Sequence, residues 1–133
     1  MQEFLRTFDC RPAATDLALS ESQRRLGVIL PREYRDFLKM TNGGEGFIGE
    51  EEYLMLWSVE ELPSLNEAYE VQQYAPGLLL FGSSGGGEAY GFDTRKQCFE
   101  IVRVPFIGMT WDLAQPIATS FDLFMRTLYS GSK

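Results

Sequence analysis

The sequence predicts an α+β fold: one domain in which a mainly antiparallel, twisted sheet is flanked by helices. Three observations predict it. The hydrophobic period is helical near both ends of the chain and strand-like between them. The runs "LLLFG", "GEAYGFD" and "QCFEIVRV" follow one another with short turns between them, which favours antiparallel pairing. A length of 133 residues, 44% hydrophobic and 14% aromatic, fills one core well and favours a single domain over 1–133. No βαβ alternation, internal repeat or low-complexity segment competes with this reading.

Each element has a local reason. "SESQRRLG" reads as a short helix, capped by Ser20 with Gln23 as reciprocal partner and ended by Gly27. In "LPREYRDFLKMTNGG" Pro31 suits a first helical turn, and Tyr34, Phe37 and Leu38 form one apolar stripe. Asn42-Gly43-Gly44 stops that helix. "EGFIG" and "EYLMLW" are strands joined by an acidic turn at residues 50–52. Ser58-x-x-Glu61 and Ser64-x-x-Glu67 are capping-box patterns on either side of Pro63, read as a helix break, with helix continuing to about Tyr74. Pro76-Gly77 is a turn. Strands are expected near 78–81, 88–92 and 98–104, where Phe99 and Ile101 share a face that Arg103 interrupts. "TSFDLFMRTLY" closes the chain as a helix capped by Thr119 with Asp122, its stripe being Phe121, Phe124, Met125 and Leu128.

The stretch "GSSGGGEAYGFD" follows a buried strand, where phosphate loops occur. Gly82 and Gly87 have the spacing of such a loop, but Glu88 and Ala89 stand where lysine and a hydroxyl residue are needed. A carboxylate there repels phosphate, so no nucleotide is expected. The structural alternative is a hairpin tip or bulge that needs positive φ.

Composition excludes several chemistries. There is no histidine, hence no Ser-His-Asp triad, no Cys-His nucleophile and no histidine-based zinc site. Cys10 and Cys98 are far apart in sequence, which suits free thiols in a reducing cytoplasm. The N-terminal "MQEFLRTFDC" does not read as a secretory signal, and no apolar run is long enough to span a bilayer. Glu88 and Asp93 are the one carboxylate pair considered for acid–base work, but five residues apart in a strand they point to opposite faces. No cofactor and no metal is expected.

The net charge of −7 is unevenly placed. Between Lys39 and Arg95 there is no basic residue, and that interval holds ten acids: Glu45, Glu50, Glu51, Glu52, Glu60, Glu61, Glu67, Glu70, Glu88 and Asp93. Nucleic acid and anionic membrane are therefore poor partners, and a basic protein is a better one. The plainer reading is that the acidity serves solubility.

Three stretches considered together carry a family resemblance: "LGVILPREYRDFLKMTNGG" (26–44), Trp57 before a helix, and "LLLFGSSGGGEAYGFD" (78–93). With the C-terminal "SFDLFMRTL", the chain resembles the SUKH superfamily, most strongly over 16–130. That group includes fungal cell-wall assembly regulators and bacterial immunity proteins. Similar chains often carry Asp just before the glycines, where this one has Ser84, whose hydroxyl can still serve a turn. The resemblance implies a binding protein without catalysis, which binds and blocks a cognate toxin, for instance a basic nuclease; the alternative is an intracellular regulator or scaffold. The residues expected to meet a protein partner are Glu45, Glu50, Glu51, Glu52, Glu88, Asp93 and Trp111. The last lies in the apolar loop "FIGMTWDLAQP", which either shelters the core or presents an aromatic anchor.

Overall fold

A computed structural model describes residues 6–49 and 52–130. Seven strands form one antiparallel sheet in which every strand pairs with its neighbours in sequence: β1 (Phe8–Cys10), β2 (Gly44–Ile48), β3 (Glu52–Leu56), β4 (Leu78–Ser83), β5 (Glu88–Asp93), β6 (Glu100–Pro105) and β7 (Gln115–Ala118). Helices α1 (Asp16–Leu26) and α2 (Arg32–Leu38) lie between β1 and β2, α3 (Leu62–Ala68) and α4 (Val71–Tyr74) between β3 and β4, and α5 (Phe121–Tyr129) follows β7. The expected α+β class and antiparallel sheet are both present.

The sheet is buried on both faces at its centre, which is why "LLLF" is apolar without alternation. Leu79 and Phe81 enter one core with Tyr90, Phe92 and Ile101, covered by α1, α2 and α5. Eight rings interlock there. Phe81 stacks on Phe92 at 4.5 Å, and Tyr34 meets Phe81, Phe92 and Phe121 at 5.1–5.5 Å. The Tyr34 hydroxyl is buried with no hydrogen-bond partner among the described residues, and burial pushes its ionisation upward. Leu78 and Leu80 enter a second core with Ala89, Val102 and Val104, beneath Val71, Ala75 and Met109.

The β3–β4 ladder is only two residue pairs long, so Leu80 needs another neighbour. The buried Asn66 of α3 supplies it: its Oδ1 accepts from Leu80 N at 2.8 Å, and its Nδ2 donates to Leu80 O at 2.9 Å and Leu62 O at 2.8 Å. One side chain thus completes a backbone that would otherwise be buried and unpaired.

Several boundaries differ from expectation. The first helix is capped by Thr15, whose Oγ1 accepts from Ala18 N, so Ser20 lies within it; Gly27 does end it in a left-handed conformation. The second helix ends at Leu38, and Asn42-Gly43-Gly44 instead forms the entry to β2. Gly43 is required there by close approach: its φ is 84°, and a Cβ would lie 2.5 Å from Leu56 O. The Ser58–Glu61 capping box forms, on a 3-10 turn (Val59–Glu61), but Pro63 breaks no helix. It sits in the first turn of α3, where its missing N–H is harmless. The break comes at Glu70, which has φ 54° and ψ 42°, and Ser64 caps nothing. The last helix is capped by Ser120, one residue beyond Thr119, because Ser120 is the extended residue whose Oγ reaches Leu123 N. The short strands β1 and β7 were not foreseen.

Candidate protein-interaction surface

The glycine run is the tip of the β4–β5 hairpin. Ser83 Oγ accepts from Gly85 N at 3.1 Å and Ser84 Oγ from Gly86 N at 3.4 Å. Two amides that an anion would need are thus engaged by the loop's own hydroxyls. Ser84 performs the turn role expected of it. Gly85 has φ 85°, and a Cβ there would lie 2.9 Å from the Tyr53 ring, so the tip lies against β3. Gly87 O accepts from Phe106 N at 2.9 Å, which brings the apolar 106–113 loop beside the hairpin.

The pleat sorts the residues beside this tip. Leu54 and Leu56 of β3 enter the first core, so Tyr53, Met55 and Trp57 share the other face. Cross-strand partners continue that face as one row across the sheet: Asp9–Glu45–Met55–Ser83–Ala89–Val104. At its Val104 end the row is buried in the second core. Met55 and Glu45 are half-buried and Asp9 is exposed. Phe47, opposite Tyr53, is 49% exposed and meets its ring edge-on at 5.1 Å. Tyr53 Oη donates to Glu45 Oε2 at 2.6 Å. Its ionisation is pushed up, chiefly by that hydrogen bond, with the charge of Asp9 adding to it. Between the open and covered parts runs an aromatic seam, with Trp57 stacked on Tyr69 at 6.2 Å and Tyr69 tilted against Phe106 at 4.9 Å.

The residues expected to meet a partner are scattered over this framework. Glu45 lies on the open face. Glu52 alternates with Leu54 and Leu56, so it belongs to the opposite face, at the end of β3. Glu50 and Glu51 lie outside the described residues. Glu88 pairs with Arg103 at 2.9 Å, off the direction of that N–H, while Arg103 Nη2 donates to Gln115. Asp93 and Trp111 are brought together by an arginine. Asp93 is buried, 3% exposed, and its carboxylate takes Arg95 Nε at 3.0 Å and Nη2 at 3.1 Å, besides Arg95 N at 3.0 Å. The hydrogen bonds from Arg95 hold its pKa below the ordinary 3.8. The Arg95 guanidinium then lies 3.6 Å from the Trp111 ring centre, and Trp111 Nε1 donates to Pro76 O at 2.7 Å. This clasp joins three loops. Glu88 and Asp93 point to opposite faces, each held by its own arginine, so they form no catalytic pair.

Sequence reading missed Phe47, Tyr53 and Met55. The signal for Tyr53 and Met55 was "EYLMLW", apolar on both faces, which describes either a doubly covered strand or a strand with an uncovered apolar face; Phe47, in "EGFIG", had none. A groove of about 610 Å³ runs between α1 and the α3–α4 segment, lined by Arg25, Glu67, Glu70 and Gln72 among others, but it gathers no convergent set of reactive groups. No cluster of three or more metal-ligating side chains and no helix long and apolar enough to cross a membrane occurs among the described residues.

A family model described as SMI1 / KNR4 family (SUKH-1) matches residues 13–127. A Bacillus subtilis (strain 168) protein, "Uncharacterized protein YnaB", is 33% identical over 90 residues. That match covers 68% of this chain and 57% of the relative, so the chain corresponds to little more than half of it.

Proposed function

Because the chain belongs to the SMI1 / KNR4 family (SUKH-1), we propose that it is a non-enzymatic protein-binding domain, an immunity protein that binds a cognate toxin of basic surface and neutralises it. One observation carries the reading. Of the ten acids in the Lys39–Arg95 interval, the described ones are Glu45, Glu52, Glu60, Glu61, Glu67, Glu70, Glu88 and Asp93. Of these eight, only Glu88 and Asp93 have an arginine partner among the described residues. The other six have no ion-pair partner among the described residues, and the excess negative charge they carry, spread over several faces, complements an enzyme that must itself attract phosphate. Exposed, unpaired Cys10 and Cys98 suit a reducing compartment such as the cytoplasm.

The test is co-expression with any toxin-like protein encoded beside this gene. Restored growth and a co-purifying complex are expected. Association should slow as salt rises from 0.1 to 1 M, where the screening length falls from about 10 to about 3 Å. Replacing Glu50, Glu51 and Glu52 together by Gln should lower the on-rate more than it raises the off-rate. Neither growth rescue nor a complex would leave the regulatory role of the fungal type as the better reading.

A further inference from the structure

We propose that the open face of β2 and β3 is the seat for an arginine side chain of the protein partner, with the carboxylates of Glu45 and Asp9 taking the guanidinium and the Phe47 and Tyr53 rings flanking it. This rests on the protein-binding reading above and adds where, and through what chemistry, the partner is held.

Two observations converge on a cation. Asp9 and Glu45 are directly opposite one another on adjacent strands. Like charges in that relation destabilise a sheet, and no ion pair to either occurs among the described residues. Glu45 is also only partly engaged: Tyr53 occupies Oε2, while Oε1 has no hydrogen bond among the described residues. A positive charge from outside would relieve the repulsion and fill that oxygen.

The rings select which cation. Phe47 and Tyr53 offer an edge-to-face pair at the margin of the carboxylates, Phe47 exposed and Tyr53 partly so. A guanidinium is planar, forks onto carboxylates and stacks on rings, whereas an ammonium is a strongly hydrated point charge. The same chain already shows the arrangement complete at another place. Arg95 forks onto Asp93 and lies over Trp111. The β2–β3 face presents the carboxylates and the rings of such a clasp, and neither Arg6 nor Arg11, the arginines beside Asp9 in sequence, pairs with Asp9 or Glu45 among the described residues. Gly85, having no side chain, lets the hairpin tip lie directly against the Tyr53 ring at the edge of this face.

The test is an amide NMR titration with the peptide acetyl-Gly-Arg-Gly-amide and its citrulline counterpart, which has nearly the same shape and no charge. Saturable shifts confined to Glu45, Phe47, Tyr53 and Gly85 are expected for the arginine peptide, with a dissociation constant on the order of 1 mM, the scale of a single side-chain contact. The citrulline peptide should bind at least about fivefold more weakly, and Glu45→Gln should erase the difference between the two. Asp9→Asn should raise the melting temperature of the free protein and weaken the arginine peptide. Shifts of equal size from citrulline, shifts that do not saturate, or shifts centred on Glu60, Glu67 or Trp111 would overturn the proposal. A toxin complex unaffected by Glu45→Gln and Phe47→Ala would remove this seat and leave toxin binding standing. A normal peptide titration with no toxin complex would do the reverse.

Discussion

The two ends of the row Asp9–Glu45–Met55–Ser83–Ala89–Val104 lie on one face of one sheet, yet they behave as interior and surface. At Val104 and Ala89 the chain returns over the sheet, with Val71 of α4, Ala75 just after it and Met109 of the 106–113 loop closing the second core. At Glu45 and Asp9 the same face stays open, though its neighbours Phe47, Tyr53 and Met55 are no more polar than many core residues. Side-chain alternation thus decides which face a residue joins. Whether that face is covered depends on where the connections run.

Substitutions can break or sharpen this contrast. The largest effect is expected in the covered half. Phe81→Ala removes a fully buried ring that stacks on Phe92, and should cost about 3–5 kcal/mol, much of a stability typically about 5–15 kcal/mol. Calorimetry or urea unfolding reads it directly. Asn66→Ala comes next. It strands Leu80 N and Leu80 O in the interior at about 1–3 kcal/mol for each group left unsatisfied, partly offset by water entry, so a loss of about 2–4 kcal/mol is expected.

A smaller effect, and one that depends on pH, belongs to the clasp. The folded pKa of Asp93 is lowered by Arg95, so the stabilisation is complete above the ordinary value of 3.8 and is lost as pH falls through the lowered folded value. Asp93→Asn should therefore lower the urea midpoint at pH 7 by less than Asn66→Ala does. The gap from wild type should then close in acid below 3.8. A gap that stayed constant down to pH 2 would mean that packing, not charge, sets the clasp's contribution. The smallest effect is expected on the open face, where Phe47→Ala should change stability by no more than about 0.5 kcal/mol. A loss near that of Phe81→Ala would show that this face is covered after all.

These differences explain what could be read from the sequence. The helical stripe at Tyr34, Phe37 and Leu38 and the doubly apolar "LLLF" were legible because each is dictated by its own period. So was the hairpin tip, since a glycine run after a strand has few other uses. Strand β7, "QPIA", was hidden by Pro116, whose missing N–H is tolerable on an edge strand. Strand β1 is three residues long and has no period to detect. Ser120 and Thr119 are both good caps, and only backbone geometry chose between them. Of the surface residues, the acids were visible as a charge interval. That Asp93 and Trp111 share Arg95 was not, because loops far apart in sequence bring them together.

The strand order has a kinetic consequence. Sheet order equals chain order, but the ladders do not close loops of equal length. The β4–β5 and β5–β6 connections are short turns, whereas β1 reaches β2 only after α1 and α2, and β3 reaches β4 only after α3 and α4. Closure entropy rises with the length of chain enclosed. The β4–β6 meander and the β2–β3 hairpin should therefore form before the β1–β2 and β3–β4 ladders, and β1 should dock late. Stopped-flow refolding is expected to show it. Truncating Leu80 or Val102 should slow folding, whereas truncating Phe8 should act almost wholly on the rate of unfolding.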